Sequence, residues 1–147
     1  MSADTTLRIA RECSNVIAVK EASGNLAQVS YILRNKPEGF AVISGDDNMT
    51  LPMMSLGGDG VISVAANVYP DKMAAMVRAF NAGDTSHAAE LHLSMIETTD
   101  ALFEEGNPVG VKAALAVKGI IGNYLRLPLV ASSERLYDKL ARLLAGM

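Results

Sequence analysis

Cysteine occurs once in the 147 residues, at Cys13. A lone thiol closes no intrachain disulfide, and without a second cysteine or a histidine at ligand spacing it makes no metal site. A reducing compartment is expected. Long apolar runs are missing too: none approaches the roughly 18 residues a membrane span needs, and the opening MSADTT has neither the basic nor the apolar segment of a secretory leader. These absences argue for a cytoplasmic location and against a membrane partner. The sequence also lacks a basic patch, its 13 Lys and Arg being dispersed among 16 Asp and Glu for a net charge of -3. With a pI near 5.3, nucleic acid is not an expected partner. No linker rich in Gly, Ser or Pro, no low-complexity tract and no long repeat divides the chain.

What remains is ordinary globular composition, 50% hydrophobic and 20% charged, enough for a true core. Residues 3 to 12, behind the candidate N-caps Ser2 and Asp4, read as a short helix. Val16 to Val19 form a β-rich apolar run of the kind expected for a strand buried on both faces, with Lys20 at its end. The turn at Ser23, Gly24 and Asn25 starts a helix carrying Leu26, Val29, Ile32 and Leu33 at helical spacing. The cycle then repeats, with strands near 40–44 and 61–64 and a helix carrying Leu51, Met54 and Leu56 between them. Helices are expected over 70–82, 84–104, 109 to about 119, and from Ser132 or Ser133 to Ala145. Strands alternating with helices imply crossovers and a parallel sheet, an α/β core. Three parallel strands leave apolar edges unpaired, and a (β/α)₈ barrel typically needs about 250 residues. A partial barrel that associates is therefore expected.

Lys20 is the sharpest chemical feature. Strand alternation puts it on one face with Ala18 and Val16. Burial there would disfavour the ammonium and favour a nucleophilic amine able to attack a ketone; the bland alternative is a strand-end lysine reaching solvent. Gly45, Asp46 and Asp47 follow the second strand, where glycine permits close approach to the backbone and an aspartate can also cap the next helix. Gly57 to Gly60 precede a strand, the wrong order for a phosphate cradle, and read as a turn. His87 and His92 are five apart, on different sides of one helix, so no metal site is expected. The eight methionines read as core fillers. Glu97, Asp100, Glu104 and Glu105 read as a solvated helix face.

The string VIAVKEASGNL from Val16 to Leu26 resembles the lysine strand and following turn of the Schiff-base class I aldolase family that contains dihydrodipicolinate synthase and N-acetylneuraminate lyase. The blocks SGDD (44–47), LGGDGVISV (56–64) with Asn67 and Val68, NPVGVKAAL (107–115) and LRLPL (125–129) continue the likeness in order. Ala65 stands where the family often has Thr, and Gly110 where Pro is common. The resemblance implies the C-terminal half of a (β/α)₈ barrel, its last three βα units, over 1–82, and a C-terminal helical region over 83–147. By position, Lys20 resembles the lysine that forms an imine with pyruvate, and Gly45 and Ile62 resemble residues lining the pyruvate pocket, Ile62 mainly through its backbone.

The resemblance further implies a lyase condensing pyruvate with aspartate semialdehyde in lysine and diaminopimelate biosynthesis, without metal or organic cofactor. The alternatives are a sugar-acid lyase of the same family, or a non-catalytic half-barrel. The family's Gly-Thr-Thr-Gly-Glu turn, its relay tyrosine and the following arginine have no counterpart here, and Tyr31, Tyr69, Tyr124 and Tyr137 match no relay position. The expected partners are therefore the two substrates, a complementary N-terminal half and further copies in a homo-oligomer, with the isolated chain expected to be inactive.

Overall fold

The computed structural model describes residues 1–146, in two compact units, Met1–Ser63 and Val64–Met147. The first unit alternates helices and strands: α1 (Ala3–Glu12), β1 (Ala18–Glu21), α2 (Leu26–Asn35), β2 (Ala41–Ser44), α3 (Thr50–Ser55) and β3 (Gly60–Val61). Local chemistry sets the boundaries. The Ser2 hydroxyl accepts from the Thr5 amide at 3.3 Å to open α1, and the Asn25 side chain accepts from the amides of Ala27 and Gln28 at 3.0 and 3.1 Å to open α2. Between α3 and β3, Asp59 returns to the middle strand: its carboxylate accepts from the Val42 amide at 2.8 Å and its own amide donates to the Val42 carbonyl at 2.9 Å.

The strands lie in the order β1-β2-β3, all parallel. The register pairs Val19 with Val42, Lys20 with Ile43 and Ser44 with Val61. Alternation puts Val19, Glu21, Val42 and Ser44 on one face. There Val42 joins Leu7, Val29, Ile32 and Met53 in a buried cluster flanked by Ala3, Val19, Leu33 and Met49. Ala18, Lys20, Ile43, Gly45 and Ile62 belong to the opposite face and retain solvent exposure, 51% for Ile62.

Two expectations are corrected here. The first strand is covered on one face rather than both, and the third is two residues long rather than four. Helices of this unit pack on one side of the sheet, and the ladder between β2 and β3 pairs Ile43 with Gly60 and Ser44 with Val61 before the chain turns away. Ser63 then leads out of the strand toward a 3₁₀ turn at Ala65–Asn67.

The second unit is helical: α4 (Pro70–Asn81), α5 (Thr85–Phe103), α6 (Val109–Val117) and α7 (Glu134–Ala145). Helix α5 packs against α4, α6 and α7. Its buried residues Ala88, Met95, Ala101 and Leu102 share the interior with Met73 and Met76 of α4, Ala113 and Ala114 of α6, and Leu136 and Leu140 of α7. At Gly110 the helices come so close that a Cβ would lie 2.2 Å from the Leu102 carbonyl oxygen, so in this chain a side chain there would force the backbones apart. The buried Tyr69 hydroxyl and Thr99 hydroxyl share a hydrogen bond of 2.7 Å. Among the described residues no helix is long and apolar enough to cross a membrane.

Glu104 and Glu105, expected on a merely solvated face, tie down α7. Glu104 accepts from Lys139 at 2.8 Å and meets Arg135 at 2.5 Å; Glu105 accepts from the Ser133 hydroxyl and, at 2.9 Å, from the Ser133 amide. The Lys139 and Arg135 hydrogen bonds hold the Glu104 carboxyl below its ordinary range, and the Ser133 hydroxyl and amide do the same for Glu105. A depressed carboxyl stabilises the fold above its unfolded pKa and ceases to as pH falls through its folded value. Hydrogen exchange should therefore show α7 amides losing protection below about pH 4 while α5 amides keep theirs. In the first unit, Ile32 is fully buried. Ile32→Ala should reduce the unfolding free energy measured in urea by about 2–5 kcal/mol, and Ile32→Val by about 0.5–1.5 kcal/mol.

Candidate active site

Parallel register decides what meets at the C-terminal end of the strands. Lys20 is the penultimate residue of β1, Gly45 directly follows β2 and Ile62 directly follows β3. The ladder runs beyond the strands themselves: the Gly45 amide donates to the Glu21 carbonyl at 2.8 Å and the Ile62 amide to the Ser44 carbonyl at 2.9 Å. All three residues thus sit on one rim and share the uncovered face.

The approach of β2 to the lysine is close. A Cβ on Gly45 would lie 2.8 Å from the Lys20 Cε, 3.0 Å from its Cγ and 2.8 Å from the Ala22 Cβ. The absence of a side chain at Gly45 is what lets the Lys20 alkyl chain lie across the start of the loop. Lys20 itself is exposed, so the expected apolar burial of the amine is not met within this unit. The physical reason is the open sheet face, since the covering helices lie on the other side.

The other residues of the second loop divide by parity and role. Ser44 is buried on the helix-covered face, its hydroxyl donating to the Asp46 carbonyl at 2.7 Å. The Thr50 hydroxyl donates to the same carbonyl at 3.0 Å. The Asp46 carboxylate accepts from the Asn48 amide at 3.0 Å and caps a 3₁₀ turn at Asp47–Met49, as the sequence allowed. Asp47 is buried and accepts from the Ser63 hydroxyl. Among these four loop residues, Gly45 is the one set against the lysine side chain.

Sequence reasoning gave Glu21 no structural role. Its carboxylate is buried beneath the strand end and accepts from the Ser23 amide at 3.1 Å, the Ser23 hydroxyl at 2.9 Å and the Gln28 side chain at 2.8 Å. Three donors compensate its desolvation and lock the turn that follows Lys20 to α2. A glutamate amid an apolar strand, two residues before a serine and seven before a glutamine at a helix start, was the available signal. Among the described residues no cluster of three or more His, Cys, Asp or Glu could hold a metal ion. His87 lies 3.6 Å from Glu90, and burial lowers the His92 pKa, but neither residue belongs to this rim.

A sequence model of the Dihydrodipicolinate synthetase family matches residues 1–146. The chain belongs to this family. It is 52% identical over 144 residues to 4-hydroxy-tetrahydrodipicolinate synthase of Parabacteroides distasonis, covering 98% of this chain and 48% of that protein. It is also 52% identical over 141 residues to the synthase of Moorella thermoacetica, covering 96% and 48%. The dihydrodipicolinate synthase structure from Aquifex aeolicus aligns with a TM-score of 0.94 at 41% identity, over 99% of this chain and 50% of that one. That from Thermotoga maritima aligns at 0.95 and 37% identity, over 98% and 50%. The chain thus spans about half the length of these relatives, and its parallel strand–helix order fits part of a (β/α)₈ barrel.

The close approach at Gly45 can be tested by stability. Gly45→Ala should lower the urea midpoint through overpacking worth about 1–3 kcal/mol, and adding Ala22→Gly should recover part of the loss. Additive losses in the double variant would show that the two positions do not share the contact.

Proposed function

We propose that this chain supplies the Schiff-base lysine and one side of the pyruvate pocket of a 4-hydroxy-tetrahydrodipicolinate synthase, completed by a complementary N-terminal half. The observation that carries the reading is the shared rim of Lys20, Gly45 and Ile62, with Gly45 backbone directly against the lysine side chain. On this reading, residues 1–82 are the last three βα units of the barrel, 83–147 are its helical extension, and the enzyme is cytoplasmic and self-associating. The lone Cys13 and the apolar strand edges support these last two assignments.

The unprotonated Lys20 amine attacks the ketone carbon of pyruvate; protonation of the resulting hydroxyl lets water leave, giving the imine. Loss of a proton from the methyl group gives the enamine, whose carbon then attacks the aldehyde of aspartate semialdehyde. Covering the open sheet face would exclude water from the rim on which the lysine stands. A complementary half would therefore contribute desolvation as well as side chains. Each step also needs a proton carrier, which typically contributes roughly 10²–10⁴-fold. Tyr31 lies on α2, among the helices of the first unit, and the Tyr69 hydroxyl is held by Thr99. On this reading the relay comes from the complementary half, and the chain alone has little synthase activity.

Borohydride reduction with pyruvate, in the presence of the N-terminal half of the Parabacteroides distasonis synthase, should add the mass of reduced pyruvate at Lys20. Lys20→Arg should abolish the adduct, because a guanidinium does not form the imine. An adduct on another lysine, or none from the reconstituted pair, would defeat the assignment. Full turnover by the isolated chain would defeat the proposed need for a second half.

A further inference from the structure

The third strand has only two paired residues, so its ladder does little to fix the chain beyond it. Yet Ile62 lies immediately past its end. On the N-terminal side Ile62 is held by its amide, which donates to the Ser44 carbonyl at 2.9 Å. On the C-terminal side the next residue, Ser63, donates its hydroxyl to the Asp47 carboxylate. Asp47 is 4% exposed and lies two residues beyond Gly45, so one part-buried hydrogen bond joins the loop after β2 to the loop after β3.

The acceptor is itself anchored. Asp46 caps the 3₁₀ turn in which Asp47 is the first residue, and the hydroxyls of Ser44 and Thr50, both fully buried, converge on the Asp46 carbonyl at 2.7 and 3.0 Å. The carboxylate therefore projects from a turn fixed on two sides. A hydrogen bond to a charged acceptor is stronger than one between neutral groups, and burial strengthens it further. Such a contact suits a place where the β-ladder runs out. Ile62, with 51% of its surface exposed, has less packing to set its position than a buried side chain would have.

We propose that Asp47 and Ser63 are positioning residues that clasp the two loops together and fix the Ile62 backbone on the rim that carries Lys20 and Gly45. The consequence for pyruvate rests on the reading of that rim as the pyruvate site. Neither residue touches the reacting atoms; they set where the Ile62 backbone stands when pyruvate is bound, and so act on pyruvate affinity more than on the intrinsic reactivity of the lysine.

Amide hydrogen exchange of the full chain, followed by NMR, tests the clasp without requiring turnover. In Asp47→Ala and Ser63→Ala, exchange at Ile62 should accelerate by about tenfold, while Val42 and the α2 amides change by less than about twofold. Asp47→Asn, which keeps an acceptor oxygen, should return Ile62 close to its original rate. Unchanged protection at Ile62, equal loosening of Val42 and α2, or failure of Asn to rescue would overturn the proposal. In the reconstituted pair, the pyruvate concentration giving half-maximal trapping on Lys20 should rise about tenfold in Asp47→Ala, with the yield at saturation retained. An unchanged concentration would overturn the link to pyruvate. Absence of any adduct in the unsubstituted pair would instead sink the pyruvate reading itself, while the exchange rates would still decide the clasp.

Discussion

The parallel hydrogen-bond register of three short strands is the constraint from which the candidate site follows. It places the ends of β1, β2 and β3 at one side of the sheet, so residues separated by 25 and 17 positions meet there: Lys20, Gly45 and Ile62. Shifting any strand by one residue would turn its side chain to the other face, because alternation has a period of two. The register is held from behind by apolar packing. Val42 of the middle strand is fully buried against Leu7, Val29, Ile32 and Met53, and a slip would carry it out of that cluster. The core on one face thus fixes which residues stand on the other.

Polar groups supplement this core where the strands end. Glu21 gathers three donors below the turn after Lys20, Ser44 and Thr50 hold the Asp46 carbonyl, Asp59 satisfies the Val42 amide, and Asp47 accepts from Ser63. Each compensates for a place at which the ladder stops providing partners. Buried polar groups left without partners would be costly, so these bonds have a narrow set of acceptable geometries. They make the loops after the strands well-defined platforms. In the helical unit, the pairs from Glu104 and Glu105 to Ser133, Arg135 and Lys139 serve a related end, fastening a helix whose chain neighbours are irregular.

The sheet is nevertheless open in a specific physical sense. Among the described residues the sheet has an apolar, partly exposed face and outer strands paired on one side only, and its lysine is exposed. On the proposed reading both conditions work against imine formation, the first because unpaired strand edges are unstable and the second because water has access to the lysine. One event, coverage of the sheet by further strands, would address both. The chain spans about half the length of its synthase relatives, and on the proposed reading the other half is the source of that coverage.

Much of this was determined by the sequence itself. Apolar periodicity and the caps Ser2, Asn25 and Ser133 placed the helices, the alternation of strands and helices implied parallel pairing, and the motif around Lys20 carried the family. These signals are local, arising from neighbours within a turn or a strand. The tertiary structure decided what local signals do not encode: that β3 is reduced to two residues, that Gly45 lies against the Lys20 side chain, that Asp47 reaches Ser63, and that Glu104 meets Lys139 across 35 positions. It also decided that Lys20 is exposed, because burial depends on which sheet face is covered, and an apolar strand reads the same in sequence whether one face or both are packed.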